Sequence, residues 1–189
     1  MTNVMTRSLA AVLGAAILSA CGGCVQDPYN TKPSAEEIAH AEERMRALPS
    51  VVDSEAQLAA VVREITDAAK TIAPELNWYT RSNREQSTLG CPSPYLETTG
   101  VSMTTDRFVS DTPIPETAWG EVLRIARDIA ARNGMTTLTV RIDRPGDHDV
   151  VLHSPDDGNE IKFGTLKAAV IVGSTGCRFR AEDLPPTGK

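Results

Sequence analysis

Residues 137–172 read TLTVRIDRPGDHDVVLHSPDDGNEIKFGTLKAAVIV, and their two-residue period decides the fold. Leu138, Val140 and Ile142 alternate with Thr137, Thr139, Arg141 and Asp143, the pattern of a strand with one face on a core and the other in water. RPGDHD reads as a turn, residues 150–153 as the next strand, SPDDGN as a second turn leading into Ile161 and Phe163, and residues 166–172 as a last strand. That last run is more evenly apolar and so belongs nearer the middle of the sheet. Strands joined by turns this short pair antiparallel.

Upstream the period becomes helical. Trp119, Val122, Leu123, Ala126, Ile129 and Ala130 share one face of a segment that opens near Pro115 and Glu116 and closes on a left-handed cap at Asn133-Gly134. Residues 101–109 alternate imperfectly as a strand, and residues 77–82, NWYTRS, are rich in strand formers; the polar run SNREQSTLGCPSP between them is loop. Ser54 and Gln57 form a capping box ahead of the stripe Leu58, Val61, Val62, Ile65, Ala69 and Ile72, which ends at Pro74. Ser34 and Glu37 form another, ahead of Ile38, Ala41, Met45 and Leu48, with Glu36, Glu42, Glu43, Arg44 and Arg46 on a solvated face and Pro49 as the stop. Helix, helix, strand, strand, helix and four strands predict one α+β domain over residues 34–180. It is a two-layer sandwich, a mostly antiparallel sheet with helices on one face. The tail, residues 181–189, holds two prolines and is expected to be extended or frayed.

The N-terminus carries an address. A start with one cation, Arg7, precedes an apolar run over residues 9–18 and small residues after it, the anatomy of a secretory signal peptide. A membrane span needs about 20 apolar residues, and this run is about half that. Leu18-Ser19-Ala20-Cys21 resembles the bacterial lipobox, a signal in which the cysteine thiol is diacylglycerated and the peptide is cut just before it. Residues 1–20 are therefore expected to be removed as a signal peptide, with lipidation at Cys21; the plainer alternative is an ordinary signal peptide ending at a chance cysteine. Each buried methylene contributes about 0.8 kcal/mol, so two or three chains, palmitate included, hold the protein where one binds marginally. Residues 21–33, breaker-rich and without period, make a flexible tether with a reach of roughly 20 Å. The expected location is the outer face of the plasma membrane, lipid-anchored in a bacterial cell envelope.

The full chain has a net charge of -6, and removal of residues 1–20 takes away Arg7 and no acid. An acidic domain lacks the basic footprint that phosphate contacts need, so nucleic acid is not expected as a partner. Acidic faces are also repelled by anionic headgroups, which leaves the N-terminal lipid as the membrane link. Cys91 and Cys177 lie far apart, without CxxC spacing, in a compartment that permits disulfides. We expect a Cys91–Cys177 disulfide rather than two free thiols; the loop closed is roughly 90 residues, which the chain-entropy model values at about 4–5 kcal/mol. Cys24 spells C-G-G-C with Cys21, but an acylated Cys21 has no thiol to share. Cys24 is a poorer lipidation candidate, because the residue three before it is not aliphatic.

One polar cluster merits weighing as chemistry: Asp143, Asp147, His148, Asp149, His153, Asp156 and Asp157. Carboxylates and imidazoles this dense can ligate a metal. However, a strand over 150–153 separates its two turns by about 15–20 Å, and an odd spacing sends His148 and His153 to opposite faces. Asp147, Asp156, Asp157 and Gly158 read better as turn formers, and SPDDGNE is out of register for a calcium loop. No catalytic, metal or cofactor site is therefore assigned. The exported part lacks G-x-S-x-G, H-E-x-x-H, P-loop and S-x-x-K signatures. Gly173-Ser174-Thr175-Gly176 reads as a turn rather than an anion cradle, since no helix follows it. His40 is placed on the first helix, solvated or packed.

The stretch VLRIARDIAARNGMTTLTVRID, followed by DHDVVLHSPDDGNEIKFGTLKAAVIVGSTGC, resembles the LppA-like lipoproteins of mycobacteria. There a helix ends at a glycine, polar strands follow, and a K-F-x-T-L strand runs to a Gly-containing turn and a cysteine. The matching parts are Gly134, Lys162-Phe163-Gly164-Thr165-Leu166 and Cys177, with Cys91 at the earlier family cysteine; Cys24 lies outside the pattern. The resemblance is specific mainly over residues 122–177, and it implies membrane anchoring without implying an activity. Two classes of function follow. One is a non-catalytic envelope module, not an enzyme, that binds an envelope protein or a small-molecule ligand. The alternative is an envelope hydrolase or metal-dependent enzyme using Asp and His of the 143–157 region.

Overall fold

The computed structural model describes residues 32–82, 86–87, 91–155 and 157–185. The expected signal peptide, and Cys21 and Cys24 of the expected tether, lie outside the described residues, as do residues 83–85, 88–90, 156 and 186–189. Helix α1 spans Ala35–Arg46, with the Ser34–Glu37 capping box formed in both directions. Helix α2, Val51–Ile72, starts earlier than expected. Its cap is Ser50, whose hydroxyl accepts from the Asp53 backbone N–H at 3.2 Å. Ser54 is not a cap; it is buried and accepts a hydrogen bond from a distant arginine.

Strands β1, Tyr79–Arg81, and β2, Gln86–Ser87, follow. The single strand expected over 101–109 is two, β3 (Ser102–Met103) and β4 (Arg107–Ser110). They belong to different sheets: β3 pairs with β2, and β4 lies between β1 and the last strand. The imperfect alternation marked that break. Helix α3 covers Glu116–Arg132, and Gly134 takes the left-handed φ of 81° that its cap requires.

Four consecutive antiparallel strands complete the chain: β5 (Thr137–Arg144), β6 (Asp147–His153), β7 (Glu160–Thr165) and β8 (Ala169–Ser174). The main sheet is six-stranded in the order β1-β4-β8-β7-β6-β5, every neighbouring pair antiparallel. The architecture is α+β with an open sheet. Two strand starts differ from the sequence reading. β6 begins at Asp147, so Asp147 is a strand residue rather than a turn former, and the turn shrinks to Pro145-Gly146. β8 begins at Ala169, which leaves Leu166 in the turn at 58% exposure.

Registers place Val150, Phe163, Ile171 and Phe108 in one row across the sheet. This row, with Leu152 and Ile161, packs under Leu58, Val62 and Ile65 of α2 and Trp119, Val122 and Ile129 of α3. Full burial of each such side chain contributes about 1.5–3 kcal/mol. Val140 was expected inside and is 52% exposed. It sits on the edge strand beside a register shift between Val140 and Ile142, a bulge of the kind that blunts a free edge. Helix α1 stands outside the main core. Its buried Met45 joins Cys91, Cys177 and Phe179 in a second cluster. Residues Pro33–Lys189 form one compact unit that contains both clusters.

Candidate functional site

The sequence-predicted acidic and histidine cluster is divided by β6. At one end His148 is buried and stacks on Trp119, ring centroids 4.5 Å apart and planes 7° from parallel. Its Nδ1 meets Asp143 Oδ1 at 2.9 Å and its Nε2 meets Glu116 Oε2 at 3.1 Å. Glu116 Oε2 also accepts the Gly146 backbone N–H at 2.6 Å. That bond, then the one with His148, holds the Glu116 carboxyl below its ordinary range. Asp147 pairs with Arg144 and Asp149 faces Arg141. At the other end His153 Nε2 lies 3.2 Å from Thr139 Oγ1. The five-residue separation along a strand is about 17 Å, so the two histidines do not share a site. Among the described residues no group of three or more His, Cys, Asp or Glu side chains is placed to hold a metal ion. His40 is an exposed helix residue near Glu36 and Glu43.

Cys91 and Cys177 form the disulfide, with Cα atoms 5.5 Å apart. It closes a pole of the molecule built around Arg178, which is 1% exposed. Arg178 Nε donates to Ser54 Oγ at 3.2 Å, Nη1 to the carbonyls of Asp157 and Cys177 at 2.8 and 2.9 Å, and Nη2 to Asn159 Oδ1 at 3.1 Å. The Asp157 carboxylate stands 3.3 Å from Nη2. Burial pulls the guanidinium below its ordinary value, and Asp157 and Tyr95 oppose that shift. One arginine thus ties α2, the turn after β6 and the segment after β8 together. Gly176 is required there: a Cβ would strike the Asp157 carbonyl oxygen and lie 2.8 Å from Arg178 Nη1.

Beside this pole opens a cleft of about 600 Å³. Arg44 and Leu48, from α1 and just beyond it, form one wall; Pro92 and Tyr95 of the disulfide loop form another. The floor is sheet surface, Ser102, Thr104, Lys162 and Ser174, and the turn with Pro155 and Asp157 closes one end. Gly173 and Ser174, expected in a turn, are the last residues of β8 and bring Thr175 and Gly176 to this wall. Arg44, expected on a solvated helix face, donates from Nε to Tyr95 Oη at 2.9 Å, its guanidinium 5.4 Å from the ring centre. Lys162 Nζ pairs with Glu160 at 2.8 Å. Of the lining, Asp157 had been weighed in the Asp/His cluster and Ser174, Thr175 and Gly176 as an anion cradle, each read as a turn; Arg44, Leu48, Pro92 and Tyr95 carried no sequence signal for a site. Only Lys162, in the K-F-x-T-L segment, and Cys177 stood in a recognised pattern.

The fold and this pole define the class: a disulfide-clipped α+β module with an open antiparallel sheet and a cleft beside the clip. Residues 26–181 match the family model of LppA, described as a lipoprotein confined to pathogenic Mycobacterium, and the chain belongs to that family. The resemblance carried by residues 122–177 is thereby a membership. The fold is similar to the crystal structure of the lipoprotein LppA from Mycobacterium tuberculosis: TM-score 0.64 at 17% identity, covering 82% of this chain and 93% of that one. A DUF4853 family protein from Actinomyces odontolyticus matches at TM-score 0.41 and 13% identity, over 68% of this chain and 72% of that one. No curated protein matches.

Proposed function

We propose that this chain is a bacterial envelope lipoprotein whose domain is a non-catalytic binding module, with the cleft beside the disulfide as its ligand site. Lipid on Cys21 anchors it to the outer face of the plasma membrane, and residues 21–33 act as the tether. Membership of a lipoprotein family and the Leu18-Ser19-Ala20-Cys21 sequence support the anchor. The cleft carries the binding reading. Its volume of about 600 Å³ falls within the roughly 300–1,000 Å³ of small-molecule sites, and apolar walls with a few convergent polar groups are the usual lining. The enzyme alternative gains nothing from the geometry, because both ring nitrogens of His148 are already engaged by carboxylates.

The anchor is tested by detergent partition of the protein from cells. The wild type is expected in the detergent phase and Cys21→Ser in the aqueous phase; an aqueous wild type with an unmodified N-terminus overturns it. The cleft is tested on the compact unit Pro33–Lys189, with the disulfide intact, by fluorescence titration with the uncharged probe N-phenyl-1-naphthylamine. Saturable binding at one site, blocked by Leu48→Trp, is the expected result. Binding indifferent to that substitution removes the cleft from consideration.

A further inference from the structure

We propose that the cleft selects a small organic anion, a carboxylate, phosphate or sulfonate on an apolar body, and that Arg44 is the residue that grips the anionic group. The inference rests on the reading of the cleft as a ligand site and adds the chemistry of the ligand.

The cleft wall carries charges of both signs. Arg44, Lys162 and Arg178 line it, and so do Asp157 and Glu160. Asp157 is committed to Arg178 at 3.3 Å and Glu160 to Lys162 at 2.8 Å. Among the described residues one cation of this lining is left without a carboxylate, Arg44, in a protein whose net charge is -6. Its acidic neighbours on α1 are directed elsewhere: Glu42 binds Arg46 at 2.7 Å, and Glu43 lies 3.7 Å from His40. Among the described residues, then, two arginines two positions apart differ in kind, Arg46 neutralised by a carboxylate and Arg44 not.

Arg44 is also held in place. Its Nε–H is spent on Tyr95 Oη at 2.9 Å, a hydroxyl that fixes the guanidinium without neutralising it. Nη1 and Nη2 hold no hydrogen bond or ion pair among the described residues. A guanidinium anchored through Nε presents the edge formed by its two Nη groups, the fork that matches two oxygens of a carboxylate, phosphate or sulfonate. Ordering that fork in the free protein lowers the entropy that binding would otherwise cost. Beside it, Leu48, Pro92, Pro155 and Tyr95 supply apolar surface, and Ser102, Thr104 and Ser174 line the floor. A bare inorganic ion would leave that apolar surface unused, which is why the ligand is an anion joined to an apolar body.

The test compares two probes on the oxidised Pro33–Lys189 unit: 1-anilinonaphthalene-8-sulfonate, which carries an anionic group, and uncharged N-phenyl-1-naphthylamine. Arg44→Ala is expected to weaken the sulfonate probe about tenfold or more, the scale of a charge-assisted bidentate contact, while the neutral probe changes less than about twofold. Arg44→Lys recovers part of the sulfonate affinity, because charge returns without the fork. Tyr95→Phe costs a few-fold by releasing Nε, and Arg46→Ala leaves both probes unchanged. Melting curves of each variant confirm that the cleft is still folded. If Arg44→Ala binds the sulfonate as well as wild type while both probes remain blocked by Leu48→Trp, the anion proposal falls and the cleft stands. If Leu48→Trp blocks neither probe, the ligand site itself falls.

Discussion

Arg178 and Phe163 are equally inaccessible, each 1% exposed, yet opposite physics holds them. Phe163 lies in the large core between the sheet and α2 and α3, packed against Trp119 with ring centroids 5.4 Å apart. Its contribution is removal of apolar surface from water, and the surrounding shape decides how much. Arg178 lies at the pole where, among the described residues, Met45, Cys91, Cys177 and Phe179 form one small buried apolar cluster and Val51, Val101 and Met103 another. Clusters so small do not hold a loop-rich region by area alone. There a covalent clip and a saturated guanidinium take over, the first acting on the unfolded chain and the second on the directions of its hydrogen bonds. The core fixes the sheet; the pole fixes three connecting segments against each other and so shapes the cleft.

Four measurements separate the two kinds of burial. The largest effect is expected from the double variant Cys91→Ala/Cys177→Ala, about 4–5 kcal/mol in the chain-entropy model. In urea unfolding it should raise the dependence on denaturant as well, because the uncrosslinked chain exposes more surface; an unchanged slope would deny that the clip acts through the unfolded state. Phe163→Ala follows, at about 3–5 kcal/mol with an unaltered slope, since the loss is transfer plus cavity in the folded state. Arg178→Ala comes third, at about 3 kcal/mol, the low end for stripping one partner from a buried charged network, because Asp157 keeps 29% exposure of its side chain. Hydrogen exchange should then quicken around residues 154–159 before the sheet interior; uniform acceleration would merge the two regions into one.

The smallest effect is one of pH. The folded Glu116 carboxyl lies below its ordinary value of 4.5 because Gly146 and then His148 bond it. Its contribution is present above the unfolded value and is lost as pH falls through the folded one. The melting temperature of Glu116→Gln should therefore lie below that of wild type near neutrality and converge with it in acid. A constant gap across that range removes the assignment, since Gln still offers an oxygen to Gly146.

Much of this was legible beforehand, for reasons residue by residue. The capping box at Ser34 and Glu37, the stripe from Leu58 to Ala69, the left-handed Gly134 and the β5–β8 alternation are local rules with local causes, and each appears as an element. The errors fall where local rules compete. Ser50 and Ser54 both offer a cap four residues apart, and Ser54 was the one wanted by Arg178. Val140 fits the inward pattern, but it stands on the edge strand beside the register shift between Val140 and Ile142. The disulfide was read from compartment and count, yet Tyr95 gave no sign that its hydroxyl would meet Arg44 at a sequence separation of 51.

Local rules in the sequence were enough for the α+β class and for the antiparallel meander and its helices, because periodicity and capping act over a few neighbouring residues. That Arg178 is a buried tie and that Arg44 meets Tyr95 on the wall of a cleft was settled only by the folded arrangement. Both depend on side chains from distant segments meeting at one pole, and a contact between segments follows from how layers pack, which no short window of residues records.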